Sequence, residues 1–182
     1  ISPPVTPFLQ IKLDQEVVDY LWKIIDIAKT ANKTHKSKLI GNISKSLLLE
    51  DLDCFFYKSV CIPLVQYYRK CNPGGTDPIV QQTSLLGSEI KLKLDKIWVN
   101  YQFKNEFNPY HDHLGLYSFA IWMKIPYSWK EQTKLPQFND MKEGQIKAGN
   151  FEFEYNDSLG GVQTYSYRLS PELEGIMLFF PA

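Results

Sequence analysis

The sequence predicts an α+β domain whose core is an antiparallel sandwich or barrel. Residues 14–71 carry two helical patterns, with apolar side chains recurring every three or four positions. After the turn signal Asn72-Pro73-Gly74-Gly75, the periodicity changes to short segments rich in aromatic and β-branched residues. Those segments follow one another without long helical patterns between them, which antiparallel pairing allows and parallel pairing, with its crossover helices, does not. At 182 residues the chain reads as a single domain.

Each element has its own justification. Residues 1–10 contain Pro3, Pro4 and Pro7, so they cannot be helical and read as an extended lead-in. Asp14 suits the N-cap of a helix running to about Lys29, with Val17, Leu21, Ile24 and Ala28 on one face. Residues 32–38 (NKTHKSK) form a polar, basic connector. A second helical pattern starts near Asp51 with Leu52, Phe55, Phe56, Val60 and Leu64, and Pro63 should kink or restart it. Residues 91–103 and 117–125 read as strands. Residues 151–155 (FEFEY) alternate cleanly, Gly160-Gly161 supplies a hairpin turn, and 162–169 alternate again. Residues 176–180 are a short, continuously apolar strand, and 129–150 read as a surface insertion with little periodicity. The domain therefore has a mainly helical part over 1–90 and a strand-rich part over 91–182.

Composition excludes several function classes. Lys plus Arg and Asp plus Glu number 20 each, so no basic excess exists to neutralise phosphates, which excludes a general nucleic-acid binder. Apolar residues make up 44%, with 11 Phe, 11 Tyr and 4 Trp, enough to bury a core and exclude wholesale disorder. No stretch approaches the ~18 consecutive apolar residues of a membrane-spanning helix, so no membrane association is expected. Cys54, Cys61 and Cys71 are an odd number without a C-x-x-C pair, which favours a reducing, cytoplasmic compartment. The chain opens on Ile1-Ser2-Pro3-Pro4 and closes on a strongly apolar run ending at Ala182. Such a run needs neighbours on both faces, so residues are expected beyond both ends.

His111 and His113 are the main candidates for chemistry. In a strand, residues i and i+2 point to one face, ~6.6 Å apart along the axis, and both imidazoles then reach one metal. Asp112 would point the opposite way. Two histidines meeting by chance in a polar turn after Pro109 is the plainer alternative.

The surrounding residues favour the metal. From Trp98 the sequence reads W-V-N-Y-Q-F-K-N-E-F-N-P-Y-H-D-H-L-G-L-Y-S-F-A-I-W-M-K-I-P, ending at Pro126. It resembles the strand–turn–strand segment of a family of iron(II)- and 2-oxoglutarate-dependent oxygenases. Many members come from tailed phages, and the family is distantly related to the prolyl hydroxylases. The matching positions are Trp98, Asn100, Asn108, His111, His113, Ser118, Trp122 and Pro126. Likeness extends to the later F-E-F hairpin and the closing E-G-x-M-x-x-F-P-A, and more weakly back through residues 39–52.

The resemblance implies a double-stranded β-helix (jelly-roll), with the N-terminal helices packed outside and iron held at one mouth. It implies Fe(II), 2-oxoglutarate as cosubstrate and O₂. The reaction would couple oxidative decarboxylation of 2-oxoglutarate to hydroxylation of a C–H bond, in the cytoplasm, a phage-infected host included. The prime substrate stays open between a protein side chain and a small metabolite. His111 and His113 would be metal ligands. Tyr101 and Asn108 would occupy cosubstrate-contacting positions, Ser118 would line the cavity, and Trp122 would stand where relatives use a tyrosine on the distal carboxylate. For Tyr101 and Trp122 the alternative is aromatic core, for Asn108 a turn residue, and for Ser118 strand packing. Arg168 reads as structural or solvent-facing.

Two departures qualify the likeness. The usual oxygenase signature is H-x-D, whereas position 113 is His, which leaves the iron one unit more positive. A local bulge would let Asp112 serve as the carboxylate instead. The family's third ligand and its 2-oxoglutarate-binding Arg are expected beyond Ala182, and His35 in the basic connector is a poor substitute. A chain ending at Ala182 is accordingly expected to be catalytically incomplete. A cupin-like metalloenzyme also uses H-x-H, but Tyr117 and Ser118 stand where it needs an acid. A non-catalytic jelly-roll binding or structural module is the third reading.

Overall fold

The computed structural model describes residues 7–72, 92–157 and 159–182. In chain order it contains β1 (Leu9–Lys12), α1 (Gln15–Ala31), β2 (Lys45–Leu49) and α2 (Ile62–Cys71). There follow β3 (Ile97–Tyr101), β4 (Tyr117–Ile121), the single turn α3 (Trp129–Gln132), β5 (Asn150–Asn156), β6 (Val162–Arg168) and β7 (Ile176–Pro181). The strands form one sheet in the order β1–β7–β4 and two pairs, β2–β3 and β5–β6. Both pairs are antiparallel. The fold is α+β. Residues 73–91, which include the predicted Gly74-Gly75 turn and the start of the 91–103 strand, lie outside the described residues.

Two compact units result, one of Ile1–Leu13 and Phe119–Leu178, the other of Asp14–Ser118 and Phe179–Ala182. β2, from the mainly helical part of the chain, pairs with β3 from the strand-rich part.

In the second unit α1 starts where the sequence places it. Asp14 occupies the N-cap with extended backbone, and Val17, Leu21, Ile24, Ile25 and Ala28 are buried on one stripe. Asn32, at φ 47°, closes the helix by donating its N–H to Lys29 O. The next residues are not a free connector. Thr34 bridges Leu47, His35 N–H donates to Ser46 O at 2.9 Å, and Leu48 N–H donates to Lys33 O at 2.9 Å. They extend β2 on the side away from β3.

Asp51 starts the second helical segment by side-chain capping. Its Oδ1 accepts from Tyr20 Oη at 2.6 Å and Phe56 N–H at 2.9 Å, and its Oδ2 from Tyr57 N–H at 2.9 Å. The predicted restart at Pro63 takes the form of a π turn over Tyr57–Cys61, after which α2 begins with Pro63 in its first turn. A wider turn ahead of the proline accommodates its missing N–H. Tyr68, Tyr117 and Phe179 then pack ring on ring, with centroids 5.1–6.1 Å apart.

β2 is absent from the sequence expectations because Lys-Ser-Leu-Leu-Leu neither alternates nor is β-branched. Pairing with β3, from Lys45↔Tyr101 to Leu49↔Ile97, and burial of Leu47 and Leu49 hold it in place. Tertiary burial outweighs local propensity there.

In the first unit, alternation dictates the β5–β6 hairpin. Phe151 pairs with Tyr167 and Phe153 with Tyr165, and Phe8 covers Phe153 at 4.9 Å between centroids. The opposite face carries Glu152, whose Oε1 meets Lys147 Nζ at 2.9 Å and accepts from Ser166 Oγ at 2.6 Å. Asp157 clamps the turn, its Oδ1 accepting from the N–H groups of Leu159 and Gly161 at 2.9 and 2.8 Å. Arg168 lies over the Trp129 ring at 4.4 Å, a structural cation–π contact.

Candidate metal centre

The loop between β3 and β4 carries the histidines, and its start is fastened to residues 41–44. Glu106 Oε2 accepts from Phe103 N–H at 2.9 Å, while Oε1 accepts from Ser44 N–H at 3.0 Å. Hydrogen bonding from the Phe103 backbone first, and then from Ser44, holds the Glu106 carboxyl below the usual carboxylate range. Phe107 N–H donates to Asn42 O at 3.3 Å, and Gly41 lies directly against the Asn108 side chain. At the far end, Ala182 N–H donates to Leu116 O at 3.1 Å. A loop held at both ends presents a defined set of side chains.

His111 and His113 come together, but not on a strand. Residues 108–114 have no regular structure, and the two Nε2 atoms are 3.1 Å apart with ring planes 20° from parallel. Each outer nitrogen is anchored. His111 Nδ1 is 2.8 Å from Pro109 O, and His113 Nδ1 is 2.9 Å from Ser118 Oγ. The Phe180 ring meets His113 edge-on, with centroids 5.9 Å apart. His111 is exposed and His113 half-buried. Burial, with the neighbouring His111 charge, pushes the His113 imidazole below its ordinary value, and Asp112 opposes the shift. A neutral imidazole is the form that binds metal.

The pair fits a shared cation. Two nitrogens 3.1 Å apart, each ~2.0–2.1 Å from one ion, subtend roughly 95–100° at it, between octahedral and tetrahedral values. Anchoring of each outer nitrogen is the arrangement that orients metal-binding imidazoles. Beyond the pair, the described residues contain no group of three or more His, Cys, Asp or Glu side chains able to hold a metal. Asp112, between the two histidines, is exposed. His35 is buried and stacks on Trp98, with centroids 5.3 Å apart.

Ser118 belongs to the centre through His113 Nδ1. Asn108 lies in the same loop, packed on Gly41. Tyr101 ends β3 with Lys45 Nζ 4.5 Å from its ring centroid. Trp122, in the first unit, packs against Phe151 at 5.5 Å and Tyr167 at 5.9 Å. Sequence reasoning missed Glu106 and Gly41. Gly41 carries no local signal, and the contact of Glu106 with Ser44, like that of Gly41 with Asn108, joins segments more than sixty residues apart. No helix among the described residues is long and apolar enough to cross a membrane. The chain matches no family model, no curated protein and no solved structure.

Proposed function

We propose that the chain is an iron(II)- and 2-oxoglutarate-dependent oxygenase, probed most simply as a divalent-metal centre on His111 and His113. The observation that supports this reading is the Nε2 pair at 3.1 Å with both outer nitrogens anchored, inside the segment that resembles that family. A double-stranded β-helix in the cytoplasm is part of the same proposal. When bound, iron would supply activation of O₂ coupled to decarboxylation of 2-oxoglutarate.

The chain's own residues would do the rest. Pro109 O and Ser118 Oγ orient the two imidazoles, Glu106 and Gly41 fix the loop, and burial favours the neutral form of His113. Asn108 is retained as a cosubstrate contact because it lies in the same loop. The open setting of His111, with Phe107, Tyr110 and Leu114 exposed nearby in sequence, suits a substrate presented from outside.

The test is succinate release from 2-oxoglutarate by the full-length protein with iron(II), ascorbate and O₂ over a panel of peptides and small metabolites. Succinate production that His111→Ala abolishes supports the proposal. Metal binding without any 2-oxoglutarate binding would replace it with a cupin-like metalloenzyme.

A further inference from the structure

Hydrogen-bond polarity in the histidine cluster follows from a single carbonyl. Pro109 O only accepts, so His111 Nδ1, 2.8 Å away, carries a proton. A neutral His111 then has a bare Nε2. For the 3.1 Å contact between the two Nε2 atoms to be a hydrogen bond, the proton on it belongs to His113. That leaves His113 Nδ1 bare, and the group 2.9 Å from it, Ser118 Oγ, must donate. The resting chain therefore runs Ser118 O–H to His113 Nδ1, His113 Nε2–H to His111 Nε2, and His111 Nδ1–H to Pro109 O. Every ring nitrogen is satisfied without a cation.

A shared cation demands a different arrangement. It needs both Nε2 lone pairs, so His113 must carry its proton on Nδ1 instead. His111 changes nothing. Ser118 must turn from donor to acceptor, and only a hydroxyl can do both. A carboxylate there would satisfy the metal-bound arrangement alone, and an alanine would satisfy neither. The proton moves from one nitrogen of His113 to the other through solvent, so no net proton is gained or lost.

We infer that Ser118 is the positioning residue of this centre: its rotating hydroxyl lets His113 switch tautomer between a metal-free, hydrogen-bonded state and a metal-binding one. This rests on the metal reading above and gives Ser118 a role towards His113 rather than towards 2-oxoglutarate. The serine acts only through the imidazole.

The experiment is ¹⁵N NMR of the histidine side chains in the protein, without metal and then with Zn(II) as a diamagnetic probe. The expected metal-free result is His111 protonated on Nδ1 and His113 on Nε2, and Zn(II) should move only the His113 proton. Ser118→Ala should weaken Zn(II) binding about 10–100-fold, as loss of an orienting partner does elsewhere, and Ser118→Thr should restore most of it. Both variants are first checked for native chemical-shift dispersion, and the wild-type tautomers stand as a test if either fails to fold. Metal-free His113 protonated on Nδ1 would overturn the inference, as would Ser118→Ala binding Zn(II) like the wild type. If Zn(II) moves neither ring while the metal-free tautomers are as assigned, the metal reading falls, and with it the switch, but the resting chain stands.

Discussion

Gly41 and Asn108 are packed so closely that a Cβ at position 41 would lie 2.2 Å from Asn108 Oδ1 and 3.1 Å from Phe107 O. The loop that carries the histidines therefore depends on a residue without a side chain in the segment before β2. Gly41→Ala should cost about 1–3 kcal/mol, the usual penalty for overpacking, read by urea denaturation. Because the nearest atom belongs to the Asn108 side chain, Asn108→Ala should recover part of that loss. Additive costs would show that the contact is not what the glycine serves.

Asp51 is predicted to be the most sensitive polar residue outside the centre. Its carboxylate accepts from Tyr20 Oη and from the backbone N–H groups of Phe56 and Tyr57. Asp51→Ala should destabilise the protein by about 1–3 kcal/mol, because three donors lose their acceptor together. Tyr20→Phe should cost less, and the double variant less than the sum. Denaturation midpoints of the three variants check this.

The cysteines should separate by reactivity. Burial pushes the Cys61 thiol up to about 12, while Cys54 and Cys71 are exposed. Since the thiolate is the reactive form, two thiols should react quickly with a disulfide reagent at pH 8 and the third only on unfolding. Three fast thiols would contradict the placement of Cys61.

Glu174 should tie stability to acid pH. Its carboxylate accepts from Ile125 N–H at 2.8 Å and lies 3.1 Å from Lys124 Nζ, which lowers it from the ordinary 4.5. A carboxyl lowered on folding contributes stability that is present above its unfolded value and lost as pH falls through the lower folded one. Glu174→Gln should thus be less stable than wild type at pH 7, and the difference should shrink below pH 4.5. Equal pH profiles for the two proteins would count against the contact.

What was legible in the sequence is what local patterning encodes. The buried stripe of α1, the FEFEY alternation of β5 and the apolar β7 all stand at their expected places. β2 was not legible, because burial of Leu47 and Leu49 and pairing with β3 create it rather than its own propensities. The i, i+2 spacing identified His111 and His113, yet for a reason the structure changes: an irregular loop, not a strand, brings their nitrogens together. Trp122 packs its ring on Phe151 and Tyr167, a contact that no local sequence pattern announces. Glu106 and Gly41 could be found only once distant segments were adjacent.

The proposed function requires His111 and His113 to hold one divalent cation between them. Anaerobic equilibrium dialysis with iron(II), repeated with Zn(II), measures it directly on the wild type and on His111→Ala, His113→Ala and the double variant. The expected result is one ion per wild-type chain, an affinity loss of tenfold or more in each single variant, and no further loss in the double. Binding of the same stoichiometry and affinity in the double variant would contradict it.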